Sequence, residues 1–116
     1  MCGIAGIYQP FGEQMPIELV KKMGLTMTHR GPDNFGFKQR KKIAMTHNRL
    51  SLLDLSDNAN QPFINDRYML AYNGEIYNFR EIKNRLERQY KIEFKTSSKT
   101  ATQPGNIYCN FFFRNI

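Results

Sequence analysis

The chain contains no apolar run near the roughly 18 residues that a membrane-crossing helix needs, so none is expected. Its first residues show no charged segment leading into an apolar stretch, so no secretory signal is expected either. Only two cysteines occur, Cys2 and Cys109. That is too few for a disulfide framework, and a reducing cytoplasm is the expected compartment. There is no internal repeat and no phosphate-binding loop, and no metal ligands are assigned. Nucleic acid is not an expected partner despite a formal net charge of +7, because no basic stripe interleaved with aromatics and no known binding motif is present. The basic residues fall in two places. Lys38-Gln39-Arg40-Lys41-Lys42 reads as an exposed hairpin turn. Between Arg80 and Lys91, Arg80, Lys83, Arg85 and Arg88 are interrupted by Glu81 and Glu87, the pattern of a solvated helix face.

What is present is ordinary globular composition, 41% hydrophobic and 23% charged over 116 residues. That length makes one domain or part of one, able to bury roughly 65% of its unfolded surface. The apolar run over residues 2–8, bounded by Pro10 and Gly12, predicts a buried strand. Pro16 opens a predicted helix running to about Thr28, with Ile17, Leu19, Val20, Met23 and Met27 on its apolar face. His29 to Asn34 is a loop dense in turn residues. Residues 35–39 and 42–48 predict a hairpin around the basic turn, and 49–54 continues the strand or leads out of it. After a polar loop at 56–61, residues 67–72 predict a strand that stops at the turn pair Asn73-Gly74. Ile76, Phe79, Ile82 and Leu86 recur at helical spacing, giving a helix over about 78–89, and 91–96 alternates like a strand. Beyond Ser98 the pattern is lost. Residues 99–106 have no period, and 107–116, with Phe111-Phe112-Phe113, are strongly apolar. The expected division is therefore a domain over 1–98 and a divergent or truncated tail over 99–116.

Cys2 carries the clearest chemistry. Its small side chain is the kind that permits removal of Met1, which would place a free α-amine and a thiol on one residue. An α-amino group has a pKa of about 7.7–8.0, so a neutral fraction exists near pH 7 to take the thiol proton and activate the nucleophile. Gly3 beside it lets a substrate approach the backbone closely. An early cysteine also arises by chance, so position alone does not decide its role.

Three further segments do. With Cys2-Gly3-Ile4, the segments His29-Arg30-Gly31-Pro32-Asp33, Asn48-Arg49-Leu50-Ser51-Leu52 and Asn73-Gly74-Glu75-Ile76-Tyr77-Asn78 resemble, in this order, the class II (N-terminal nucleophile) glutamine amidotransferase domain. The His-Arg-Gly-Pro-Asp loop, the run Arg49 to Ser56, Gln61-Pro62 and the Asn73 to Asn78 segment make it most similar to the glutamine-hydrolysing asparagine synthetases. The resemblance covers residues 2 to about 98. It implies an α+β fold of the N-terminal-nucleophile type, a four-layer αββα sandwich, incomplete in this sequence. It implies L-glutamine as substrate and Cys2 as nucleophile. Asn73 and the Gly74 N–H would form the oxyanion site, where donors must point at the developing charge. Arg49 would pair with the α-carboxylate of glutamine, Glu75 with its α-ammonium, and Leu50, Ser51, Leu52 and Leu53 would line the pocket. Taken alone, Asn73-Gly74 reads as a hairpin turn, and Arg49 and Glu75 as surface charges. His29, Arg30 and Asp33 either shape the pocket or hold their own loop by hydrogen bonds. His47 reads as a strand residue with no catalytic role.

The resemblance also has a gap. After Ser97-Ser98 the family pattern continues Asp-Thr-Glu, whereas this sequence has Lys99-Thr100-Ala101. A cation then replaces a carboxylate that would hold the substrate ammonium, a loss of about 1.5–3 kcal/mol. ATP and magnesium would belong to a synthetase domain that this sequence lacks. In the full-length family the ammonia passes to an activated aspartate, and the partners would be that synthetase domain or a second copy in a homo-oligomer. The alternatives are an inactive truncated remnant and an amidotransferase acting on another carboxylate, such as that of a surface sugar.

Overall fold

A computed structural model of the chain describes residues 1–12, 14–51, 55–65, 68–74 and 76–91. The elements in chain order are β1 (Gly3–Tyr8), α1 (Ile17–Leu25), β2 (Asn34–Arg40), β3 (Ile43–Arg49), β4 (Phe63–Ile64), β5 (Met69–Leu70) and α2 (Phe79–Tyr90). Short 3-10 turns lie at Thr28–Arg30 and Asp57–Ala59. The protein is mixed α and β with antiparallel sheets. One sheet has the order β1-β3-β2 and the other pairs β4 with β5.

Strand β3 is the hinge of the design. It pairs with β1 on one side, Gly3 opposite Asn48 and Tyr8 opposite Ile43, and with β2 on the other, Asn34 opposite Arg49 and Arg40 opposite Ile43. All seven of its residues are buried. Strand side chains alternate between faces, and here both faces are covered. Ala44 packs with Met15 and Val20 on the side of α1, with Ile7, Ile17 and Phe37 closing over them. Ile43 and Met45 pack with Met69 and Ala71 beside β5, with Ile4 against them. The described residues thus stack helix, sheet and sheet. Lys41, with φ of 46°, closes the two-residue turn between β2 and β3 where the basic cluster was expected to be a turn.

Helix α1 stops at Leu25, short of the expected Thr28. The hydroxyls of Thr26 and Thr28 donate to the carbonyls of Met23 and Leu25, both at 2.7 Å. The Met27 N–H meanwhile bonds three residues back, to the Gly24 carbonyl, and the chain tightens into the 3-10 turn. Leu19, expected on the buried face, is half exposed. The buried positions are Val20 and Gly24. A Cβ on Gly24 would sit 2.5 Å from Thr46 Oγ1 and 2.7 Å from a Phe35 ring carbon, so glycine is what lets the helix lie directly on β3.

The expected strand over 67–72 is reduced to Met69–Leu70, with Arg67 outside the described residues. Tyr72 N–H is captured at 2.6 Å by the side-chain carbonyl of Gln61 instead of by a neighbouring strand. Helix α2 begins one residue after the expected Asn78 and ends at Tyr90, capped by Lys91, which adopts φ of 51°. Leu86 is its buried residue, and Lys83 and Glu87 pair at 3.8 Å on the solvated face. Of the expected strand 91–96, residues 92–96 lie outside the described residues, as does the tail with Lys99 and Cys109. None of the described helices is long and apolar enough to cross a membrane.

Candidate functional site

The site assembles where β1 begins and β3 ends. Because β1 and β3 run antiparallel with Gly3 opposite Asn48, the first residues of the chain lie beside the segment that follows Asn48. Cys2, half-buried, receives a hydrogen bond on Sγ from Leu50 N–H at 3.4 Å, and its thiol faces the Leu50 carbonyl at 3.9 Å. Met1, ahead of it, is 77% exposed, which leaves it open to an aminopeptidase.

Two donors from distant parts of the chain meet on the Cys2 carbonyl oxygen. Asn73 Nδ2 donates at 3.0 Å across 71 residues of sequence, and Arg30 Nε donates at 3.2 Å from the 3-10 turn. Asn73 is therefore adjacent to the thiol residue. It lies three residues beyond the end of β5, so the second sheet is what delivers it. Gly74 is exposed beside it, and a Cβ there would meet the Tyr72 hydroxyl at 2.5 Å. Glu75 lies outside the described residues, as do Leu52 and Leu53.

Arg49, the last residue of β3, is nearly buried at 7% exposure. Its Nη1 donates to the Ser56 carbonyl at 2.9 Å and to Asn60 Oδ1 at 2.6 Å. Asn60 is itself held by Asp57, whose Oδ1 accepts from Asn60 Nδ2 at 2.9 Å. A surface charge is thus excluded for Arg49: its guanidinium is built into the 56–60 turn. Asn60 is a part of the site that the sequence did not reveal. It is eleven residues from its partner and sits in a stretch that reads only as a polar loop. Ser51 N–H donates to Asp33 Oδ2 at 2.6 Å.

The His29–Asp33 loop is resolved into unequal parts. Arg30 and Asp33 reach the site, whereas His29 is exposed and makes no hydrogen bond to it among the described residues. Gly31 is buried, and a Cβ on it would lie 2.3 Å from the Asn48 carbonyl oxygen, so only glycine lets this loop rest on the end of β3.

His47 lies two residues before Arg49 and is fully buried, with neither ring nitrogen in a well-formed hydrogen bond among the described residues. Burial pulls its pKa down from the usual 6.5 to about 4. The Arg49 charge pushes the same way, and the nearby Tyr72 backbone pulls partly back. It is a neutral core residue at neutral pH, in keeping with the strand role expected of it. Among the described residues no group of three or more His, Cys, Asp or Glu could hold a metal ion. An apolar groove of about 690 Å³ runs between β1 and α1, past Gly6, Leu19, Met23 and Met27. It is lined by none of the residues gathered at Cys2.

The sequence matches the family described as glutamine amidotransferase domain over residues 1–103. It is 37% identical over 103 residues to asparagine synthetase [glutamine-hydrolyzing] 2 of Bacillus subtilis, covering 84% of this chain and 13% of that protein. Against asparagine synthetase B [glutamine-hydrolyzing] of Escherichia coli the identity is 36% over 103 residues, covering 84% and 18%. A putative asparagine synthetase [glutamine-hydrolyzing] 2 of Methanocaldococcus jannaschii is 35% identical over 121 residues, covering 86% and 22%. The chain therefore spans less than a quarter of the length of these relatives. No solved structure matches it.

Proposed function

The chain belongs to the glutamine amidotransferase domain family, and on that premise we propose that it hydrolyses L-glutamine to glutamate and ammonia with the Cys2 thiol as nucleophile. One observation carries the reading: Asn73 Nδ2 lies 3.0 Å from the Cys2 carbonyl oxygen. An amide donor is thereby held next to the one residue able to supply both thiol and amine.

Once Met1 is removed, the α-amine of Cys2 takes the thiol proton. The thiolate adds to the side-chain carboxamide carbon of glutamine, and the carbonyl oxygen becomes an oxyanion. Asn73 carries two N–H donors on Nδ2. One serves the Cys2 carbonyl and the other, with Gly74 N–H, is aimed at the oxyanion. Collapse of this intermediate expels ammonia, protonated by the α-ammonium. Water then cleaves the thioester to glutamate and restores the thiol. Arg49, fixed by Ser56 and Asn60, pairs with the α-carboxylate of glutamine in the fork geometry suited to a guanidinium. Glu75 takes the α-ammonium, and the backbone of Leu50 to Leu53 lines the channel between them.

In the larger setting, the helix-sheet-sheet stack is read as part of an αββα sandwich. Residues 1–98 form the amidotransferase portion and 99–116 a divergent tail. The relatives' names point to ammonia transfer to an activated aspartate by a synthetase domain. A cytoplasmic location suits a thiol that must stay reduced. The test is ammonia release from glutamine by the full chain, with intact mass recorded to verify loss of Met1. Release above that of Cys2→Ala supports the proposal, and equal rates from the two refute it.

A further inference from the structure

We propose that Asp33 is a positioning residue that sets the reactivity of the Cys2 thiol through the backbone of Leu50. Two bonds place it. Asp33 N–H donates to the Arg49 carbonyl at 3.0 Å, and Asp33 Oδ2 accepts from Ser51 N–H at 2.6 Å. These grip the two peptide planes on either side of the Leu50 α-carbon. A trans peptide is planar, with its C=O and N–H pointing in opposite directions. The plane whose carbonyl Asp33 holds carries Leu50 N–H on its other edge, and that N–H is the one donating to Cys2 Sγ at 3.4 Å. The plane whose N–H Asp33 holds carries the Leu50 carbonyl on its other edge, and that carbonyl faces the thiol at 3.9 Å. One aspartate on one side of the backbone thus orients both polar groups that meet the sulfur on the other side.

The loop that bears Asp33 is itself fixed at the same place. Gly31 rests on the backbone of Asn48 and Arg49, and Arg30 Nε bonds the Cys2 carbonyl. Rotating the Arg49–Leu50 plane to withdraw Leu50 N–H from sulfur would break the Asp33 N–H bond to the Arg49 carbonyl, and the Oδ2 bond to Ser51 N–H is what anchors Asp33 there to hold it. An N–H aimed at sulfur is the contact that can stabilise negative charge developing there, so the clamp keeps that donor in place for the nucleophile. The role of Asp33 needs an oxygen acceptor at Oδ2 and not a negative charge.

This inference rests on Cys2 being the nucleophile, but its test reads the thiol directly and does not depend on glutamine turnover. The rate of alkylation by iodoacetamide is measured at Cys2 by peptide mapping of the full chain, from pH 6 to pH 10. Asp33→Ala is expected to slow alkylation about fivefold at pH 7, the effect of one lost hydrogen bond. Asp33→Asn keeps an oxygen acceptor and should stay within about twofold of the parent chain, a rescue that follows from a hydrogen-bond role. If Asp33→Ala fails to fold, Ser51→Pro removes the donated N–H while leaving Asp33 in place and should reproduce the slow rate. An unchanged rate in the folded Asp33→Ala or Ser51→Pro chain, or Asp33→Asn as slow as Asp33→Ala, overturns the proposal. Normal alkylation together with no ammonia release from glutamine would instead fault the functional reading.

Discussion

Acid should loosen this protein through His47, a buried side chain of β3. The imidazole is fully buried on β3, and its pKa is pulled from 6.5 to about 4, chiefly by loss of water and further by the Arg49 charge. Between those two pH values the unfolded chain binds a proton on His47 and the folded chain does not. Stability from this group is therefore complete above about pH 6.5 and falls as the pH drops, until about pH 4. Going from pH 7 to pH 5 removes about 2 kcal/mol, and the full shift amounts to about 3 kcal/mol. That is a large part of the 5–15 kcal/mol typical of a domain. Urea unfolding of the full chain at pH 7, 6 and 5 is the assay, and the midpoint should fall by about 1 M across the range. His47→Gln should flatten most of the dependence. A parent chain whose midpoint does not move, or a His47→Gln chain that loses as much as the parent, refutes the reasoning. Proton NMR offers a check on the same chain: the His47 ring resonance should titrate near pH 4.

The other predictions concern the site. Gly31→Ala forces a Cβ to 2.3 Å from the Asn48 carbonyl oxygen and should lower stability by about 1–3 kcal/mol in urea titrations. It should also slow alkylation of Cys2, because the loop carrying Arg30 and Asp33 must move. Asn60→Ala strips Arg49 of its 2.6 Å partner; about 1.5–3 kcal/mol is expected to be lost on unfolding, and KM for glutamine should rise with little change in kcat. Asn73→Ala should reduce kcat for ammonia release about 100-fold or more while leaving KM nearly unchanged, as removal of an oxyanion donor does.

Much of the fold could be read along the chain because its signals are local. The apolar run at 2–8, the hairpin around Lys41 and the helical spacing from Phe79 to Leu86 all became elements within a residue or two of expectation. Where the structure differs, a contact from elsewhere intervened. Thr26 and Thr28 took the carbonyls that a longer α1 would have used. Gln61 took the Tyr72 N–H that a longer β5 would have offered to a neighbour. Leu19 has the right spacing for the helix face, but the residues of α1 buried against the sheet are Val20 and Gly24, and Leu19 borders the open groove instead.

The residue types of the candidate site belong to the sequence. A thiol at position 2, an Asn-Gly pair and an arginine at the end of a strand are each chemistry that side chains carry wherever they are placed. Their meeting is a product of tertiary structure. Antiparallel pairing sets Gly3 opposite Asn48, and this brings Leu50 to the sulfur. The second sheet packs Met69 and Ala71 over Ile43 and Met45, and this brings Asn73 to Cys2 across 71 residues. No local pattern encodes Asn60 as the anchor of Arg49, or Asp33 as the clamp on the backbone behind Leu50. Those roles depend on which backbone groups two separate loops present to each other. Burial of the apolar faces of β3 holds those loops where such hydrogen bonds can be made.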